Sequence, residues 1–329
     1  MEFKNDGFLH RSVKRDDGTS IAYTSKGDGP MVLMVHGFPE SWYSFRHQID
    51  ALAEAGYSAV AIHLRGYGNS DKPTSGDSYI SRETAADVIA VIDDAGSEQA
   101  VLIGHDVGAV VAQKAALLYP DRICGLVLLS VPTLHPFPAD PLEVMKSVYP
   151  DNLFYMDYFH DVETASRELE SDIPRFLKLA FHWLSGTHPD DDSMLVRPAG
   201  SQSLLSGLEE PSSLPDWLND DDFQFFVDEL TAGGLTGPVS AYPAVTLDHY
   251  DLAEYASQQI EAPTMFVGGD RDSSRALFGY DSFAEPLSRC TDPRGAHILP
   301  GIGHWIQQEA PDQVSALVLE FLDEIKLPT

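Results

Sequence analysis

The stretch "IGHDVGAVV", residues 103–111, decides how this chain folds. The residues leading into it, "EQAVLI", read as a short buried strand, and those following, "AVVAQKAALLYP", read as a helix stopped at Pro120. Between them Gly104 and Gly108 stand two residues either side of Asp106. A sharp strand-to-helix turn needs small residues there, because a Cβ would collide with the neighbouring strand and helix. The turn lifts the central side chain above the carboxyl end of the strand. It also sets the Val107 N–H near the positive end of the helix dipole. On these residues alone Asp106 reads equally as an exposed nucleophile and as a helix cap.

Working outward, strand and helix signals alternate through the first part of the chain. "SIAYTSKG" leads to "PMVLMVHG", an apolar run consistent with a fully buried strand. "ESWYSFRHQIDALAEAGY" predicts a helix, "SAVAIHLRG" a strand, and "YISRETAADVIAVIDDAG" a helix opened by Ser81. "AVLIGHD" and "CGLVLLSV" are further strands. This alternation predicts an α/β fold, a mostly parallel sheet with helices on both faces. The texture changes at the proline-rich "VPTLHPFPADP". From about 134 to 245 the chain carries helix signals, clearest in "VETASRELESDIPRFLKLAFHWLSG" and "NDDDFQFFVDELTAGG", and no convincing strand. The α/β texture returns with "APTMFVGGDRD", "RGAHILPGIGH" and the final helix "APDQVSALVLEFLDEIK". The expected organisation is a core of residues 1–133 and 246–329, with 134–245 inserted as a helical lid.

Composition narrows the partners. The 329 residues carry 51 acidic against 21 basic side chains, a formal charge of −30, and such a field repels nucleic acid and anionic membranes. A small neutral substrate is hindered least. A salty habitat would also account for the charge, though a solvated acidic surface suffices. No apolar run approaches the length of a membrane span, and the N-terminal stretch lacks the apolar segment of a secretory signal. Cys124 and Cys290, far apart in sequence, suggest reduced thiols and a cytoplasmic protein.

Three more stretches bear chemistry. In "VHGFPESW" a His-Gly pair directly after a buried strand suits a loop offering a backbone N–H, here that of Phe38, to a developing oxyanion, with Pro39 stiffening it. His36 reads as a structural hydrogen-bonding residue. In "FVGGDRDSS" two carboxylates, Asp270 and Asp272, compete for the role of orienting a histidine. In "GIGHWIQQEAPDQV" His304 falls between a strand and the last helix, completing the chain order nucleophile, acid, histidine.

Together "HGFPESWYSFRHQ", "LRGYGNSDKP", "GHDVGA", "GGDRD" and "GIGHWIQQEAP" resemble the landmarks of the α/β-hydrolase superfamily and, within it, of the epoxide hydrolases, over nearly the whole chain. The resemblance implies an α/β-hydrolase fold with a cap domain and a two-step reaction without cofactor or metal. Asp106 attacks an epoxide carbon to form an alkyl-enzyme ester. His304, oriented by Asp272, then activates water against that ester, and the N–H groups of Phe38 and Val107 hold the oxyanion. Two lid tyrosines supply the acid, and by the resemblance they are Tyr155 in "NLFYMDYFHD" and Tyr242 in "GGLTGPVSAY", with Tyr158 as the alternative to the former. Pro39, Trp42, Phe154 and Trp305 are the expected pocket residues; Phe159, Phe181, Trp183, Phe225 and Phe226 add further lid aromatics. The expected partners are a small apolar epoxide and water, and a homodimer is compatible with the family.

Two departures from the family pattern stand out. Val107 replaces the tryptophan that often follows the nucleophile, and His63 stands where an aspartate is usual. The sequence assigns His63 no role. Val107 also counts against a haloalkane dehalogenase, which binds halide through that tryptophan. With Val110 it offers a haloacetate dehalogenase no arginine for the substrate carboxylate. A serine esterase is excluded by Asp106. The remaining rival is a non-catalytic small-molecule receptor on the same fold.

Overall fold

A computed structural model describes residues 7–188, 194–277 and 281–327. The chain opens with strands β1 (Leu9–Lys14), β2 (Ser20–Lys26) and β3 (Met31–Val35), then helix α1 (Arg46–Glu54) and strand β4 (Ser58–Ile62). Helix α2 (Ser81–Asp94), strand β5 (Ala100–His105), helix α3 (Val107–Leu118) and strand β6 (Ile123–Leu129) follow. These strands, with β9 (Thr264–Gly269) and β10 (Pro293–Leu299), form one eight-stranded sheet of order β1-β2-β4-β3-β5-β6-β9-β10. Only β1 and β2 run antiparallel to their neighbours; from β4 to β10 every pairing is parallel.

The parallel part is buried on both faces, which is why β3 and β5 read as continuous apolar runs rather than alternating ones. Each fully buried Val or Leu in them contributes about 1.5–3 kcal/mol of transfer free energy. The predicted helix "ESWYSFRHQIDALAEAGY" is shorter than read: Trp42–Phe45 form a 3-10 turn, and α1 begins at Arg46. Strand β1 carried no apolar alternation to reveal it; as a sheet edge it is mostly exposed.

The insertion comprises α4 (Pro141–Val148), β7 (Leu153–Phe154), α5 (Tyr155–Tyr158), α6 (Val162–Glu170), α7 (Ile173–Trp183), β8 (Val196–Arg197), α8 (Asp220–Gly233), α9 (Thr236–Ser240) and α10 (Ala244–Asp251). The single helix read over 162–186 is two. Asp172 caps α7 by accepting from Arg175 N–H at 3.0 Å, and Pro174 sits in its first turn, where it lacks a donor for α6 to continue. The two-residue strands β7 and β8 pair antiparallel, too short to leave a periodic signal. Helix α10 runs across position 245. After β10 come α11 (Ile306–Glu309) and α12 (Pro311–Ile325). Among the described residues no helix is long and apolar enough to cross a membrane.

Candidate active site

The carboxyl ends of β3, β5, β9 and β10 open onto one place, the crevice where an open α/β sheet binds its ligands. The turn after β5 has the strain its glycines anticipate: Asp106 sits at φ 52°, ψ −122°. A Cβ on Gly104 would press on the backbone of Ala109, and one on Gly108 would collide with the Val35 carbonyl. Asp106 is thus lifted off the helix, and its side chain makes no cap hydrogen bond. The capping alternative is removed by geometry.

Asp106 Oδ1 accepts the Phe38 N–H at 2.9 Å, and Oδ2 lies 3.5 Å from His304 Nε2. Val107 opens α3, so its N–H is one of the helical donors without an intrahelical partner. The other imidazole nitrogen, Nδ1, lies 3.2 Å from both oxygens of Asp272. Asp272 is buried, and Ser274 N–H donates to its Oδ1 at 2.9 Å. Its competitor Asp270 is exposed on the turn and accepts from Gly301 N–H. Burial disfavours charge on His304, but Asp272 and Asp106 on either side outweigh it and raise its pKa well above the usual value. Burial likewise opposes ionisation of Asp106 and Asp272, yet the imidazole overcomes it and lowers both.

Above this array lies a cavity of about 500 Å³ including its mouth. Asp106, His304 and Ser274 form its polar floor with Phe38 and Pro39, the Phe38–Pro39 peptide bond being cis. Its roof is the lid: Phe159, Phe176, Ala180, Leu184, Met194, Leu195 and Leu204, together with Tyr155 and Tyr242. The two tyrosine rings meet edge to face with centroids 5.7 Å apart, and Tyr242 packs the same way on Phe159 at 4.7 Å and Phe38 at 5.5 Å. Burial, and then the Asp106 charge, push both phenols far above their usual pKa. Tyr158 points elsewhere, donating to Glu168 Oε2 at 2.7 Å.

Three expected pocket residues do not line the cavity. Trp42 is buried among Phe8, Tyr43, His63 and Phe225, away from the cavity, because its 3-10 turn faces the other layer of the sheet. Phe154 stacks on Tyr149 at 4.9 Å and stands edge-on behind Tyr155, supporting that ring instead of touching the cavity. Trp305 is fully buried against the flank of His304, its indole N–H donated to the Ala180 carbonyl at 3.3 Å. Of the further lid aromatics only Phe159 reaches the cavity. His63 accepts a structural role: it is buried, bonded to Thr24 Oγ1 at 3.1 Å and held uncharged by burial, its pKa pushed down to about 3. His36 is similar, bonding the Gly37 carbonyl and accepting the Leu64 N–H.

The sequence reading missed a buried polar network beneath His304. His105 Nε2 meets the His304 carbonyl at 2.8 Å, and Ser130 Oγ donates to the same oxygen at 2.9 Å. His105 Nδ1 faces Glu40 Oε2 at 2.7 Å, and Glu40 also accepts from Gln307 and Gln308. Glu40, His105 and both glutamines stand in the stretches "HGFPESW", "IGHD" and "HWIQQ", but the full burial of Glu40, which obliges it to be hydrogen-bonded, is decided only by the fold.

The profile of the α/β hydrolase fold matches residues 30–183. Epoxide hydrolase A of Mycobacterium tuberculosis is 36% identical over 94% of this chain and 96% of its own length. Among solved structures, an epoxide hydrolase from an endophytic Streptomyces superposes with a TM-score of 0.92 at 38% identity, covering 98% of this chain and 97% of that one. Epoxide hydrolase A from Mycobacterium thermoresistibile gives 0.90 at 34% identity, covering 98% and 100%. A chain that aligns with these proteins along nearly its whole length, in sequence and in fold, belongs to the epoxide hydrolase family of α/β hydrolases.

Proposed function

We propose that this enzyme adds water to a small, neutral, apolar epoxide and releases a vicinal diol, through an ester on Asp106. The observation that carries the reading is the distribution of polarity around the cavity. A carboxylate and an imidazole face an apolar roof whose polar groups, among the described residues, are the hydroxyls of Tyr155 and Tyr242.

Asp106 Oδ1 is held by the Phe38 N–H, which leaves Oδ2 to attack an epoxide carbon. The C–O bond breaks, and the alkoxide takes its proton from Tyr155 or Tyr242, phenols that burial keeps protonated until that base develops. Esterification removes the Asp106 charge, so His304 retains only Asp272 as an ionic partner; its pKa falls, and the imidazolium passes its proton to the phenolate and is left as the neutral general base. His304 Nε2 takes a proton from water, and the hydroxide adds to Cγ of Asp106. The electron pair moves to Oδ1, held by the N–H groups of Phe38 and Val107. Collapse expels Oδ2 with the diol as an alkoxide, which takes its proton from His304, and the proton left on the Asp106 carboxyl returns to His304, restoring the resting enzyme.

The dehalogenase alternative is not favoured. The Trp305 N–H is donated to Ala180, Trp42 lies outside the cavity, and no described lysine or arginine lines it. The free thiols of Cys124 and Cys290 support a reducing compartment such as the cytoplasm. Assay of the purified enzyme on styrene oxide, 1-bromobutane and p-nitrophenyl acetate tests the function. Diol from the epoxide alone is expected. Turnover confined to the halide, or binding of all three without products, would overturn it.

A further inference from the structure

Three consecutive backbone N–H groups around the histidine are all donated. Gly303 N–H goes to Glu309 Oε2 at 3.1 Å, His304 N–H to the Leu184 carbonyl at 2.8 Å, and Trp305 N–H to Glu309 Oε1 at 3.1 Å. Glu309 Oε2 also accepts the N–H of Gly186, at 2.9 Å, where the lid chain leaves α7. Arg271, beside Asp272, donates from its guanidinium to the Gly186 carbonyl at 2.9 Å. The two backbones touch: a Cβ on Gly186 would lie 2.8 Å from the Ile302 carbonyl carbon, and one on Gly303 2.5 Å from the Leu184 carbonyl oxygen. One carboxylate therefore joins the loop that bears His304 to the lid residues that adjoin Leu184 in the cavity roof.

We infer that Glu309 is a positioning residue for the second half of the reaction: by gripping the amides on both sides of His304 and tying them to Gly186, it makes the placement of the base and the seating of the lid a single arrangement. This rests on the assignment of His304 as the base. Nothing of Glu309 lines the cavity, so it acts only through the loop. A carboxylate suits the task because it accepts several N–H groups at once. The isosteric glutamine has a single carbonyl oxygen and turns two N–H donors toward amides that are themselves donors. The first half of the reaction depends on Asp106 and the tyrosines, which Glu309 does not touch. A misplacement of about 1 Å at a reacting group costs about 100-fold in rate.

Two variants perturb the same joint. Glu309→Gln removes the double acceptor, and Gly186→Ala wedges the two backbones apart without altering any charge. Each is read in two ways: by rapid-quench mass spectrometry of the Asp106 peptide during one turnover of styrene oxide, and by the ring resonances of His304 in nitrogen-15 NMR of the enzyme without substrate. Glu309→Gln is expected to slow ester hydrolysis at least tenfold while ester formation changes less than threefold, so that ester accumulates, and to shift the His304 resonances (about 10- to 100-fold is the range for such misplacement). Gly186→Ala should move both readouts in the same direction and answers for the inference if Glu309→Gln does not fold. Equal slowing of both steps, or unchanged His304 resonances in the folded variants, overturns it. The NMR arm stands apart from the reaction: if wild type makes no diol, the functional reading fails while a shifted His304 still sustains the positioning role.

Discussion

On the sheet side of the cavity each reacting group is gripped from several directions; on the lid side almost nothing polar is present to grip. Asp106 has Phe38 and His304 as partners, His304 has two carboxylates and a backbone pinned through all its polar groups, and Asp272 is fixed by Ser274. The lid offers rings and aliphatic chains, with two phenols packed edge to face. The contrast is a division of labour. The core supplies charges whose geometry must be exact to fractions of an ångström, and the lid excludes water, which strengthens those charges and keeps the phenols as acids.

The comparison breaks first at Asp106. Asp106→Ala removes the proposed nucleophile, and diol formation measured by chromatography should fall by roughly four orders of magnitude or more. His304→Gln should separate the two steps: ester hydrolysis slows by about 1,000-fold, ester formation far less, and the mass of the substrate appears on the Asp106 peptide. On the lid side, Tyr155→Phe and Tyr242→Phe should each cost about 10- to 100-fold in the rate of ester formation, and the double variant should abolish it. Full activity in the double variant would assign the acid to another group. Leu204→Ala, deep in the apolar roof, should raise KM about fivefold with kcat within twofold, since it removes about 1 kcal/mol of uniform binding.

The smallest expected effect is on stability. The folded-state pKa of His304 is raised above its unfolded value of about 6.5, so the stabilisation it provides is fully present below that pH and is lost as pH rises through the folded value. Melting curves of wild type and His304→Gln should therefore show a Tm gap at about pH 6 that narrows as the pH is raised into the alkaline range. A gap that widens with pH would place the charge on the wrong side of this argument.

Asp106, Asp272 and His304 were legible because each lies in the turn or loop that follows a strand, two of those strands being continuous apolar runs, and a parallel sheet delivers such ends to one edge. The tyrosines were reached only through resemblance, because a lone aromatic in a helical stretch carries no signal of what it faces. Trp42, Phe154 and Trp305 show the limit of that reading: each sits beside a site residue in sequence and points away from the cavity. Glu40 and Glu309 were passed over for the opposite reason, since their partners lie far away along the chain or are backbone amides that any residue could offer.

The sequence by itself determined the α/β order, the strained elbow and the identity of its carboxylate, because local periodicity and two glycines write those directly into the chain. Tertiary structure alone decided which aromatics form the roof, which buried acid holds His105 and which holds the His304 loop to the lid. Those choices depend on how an insertion folds back over a sheet edge, and contacts between residues 65 to 125 positions apart leave no periodic trace.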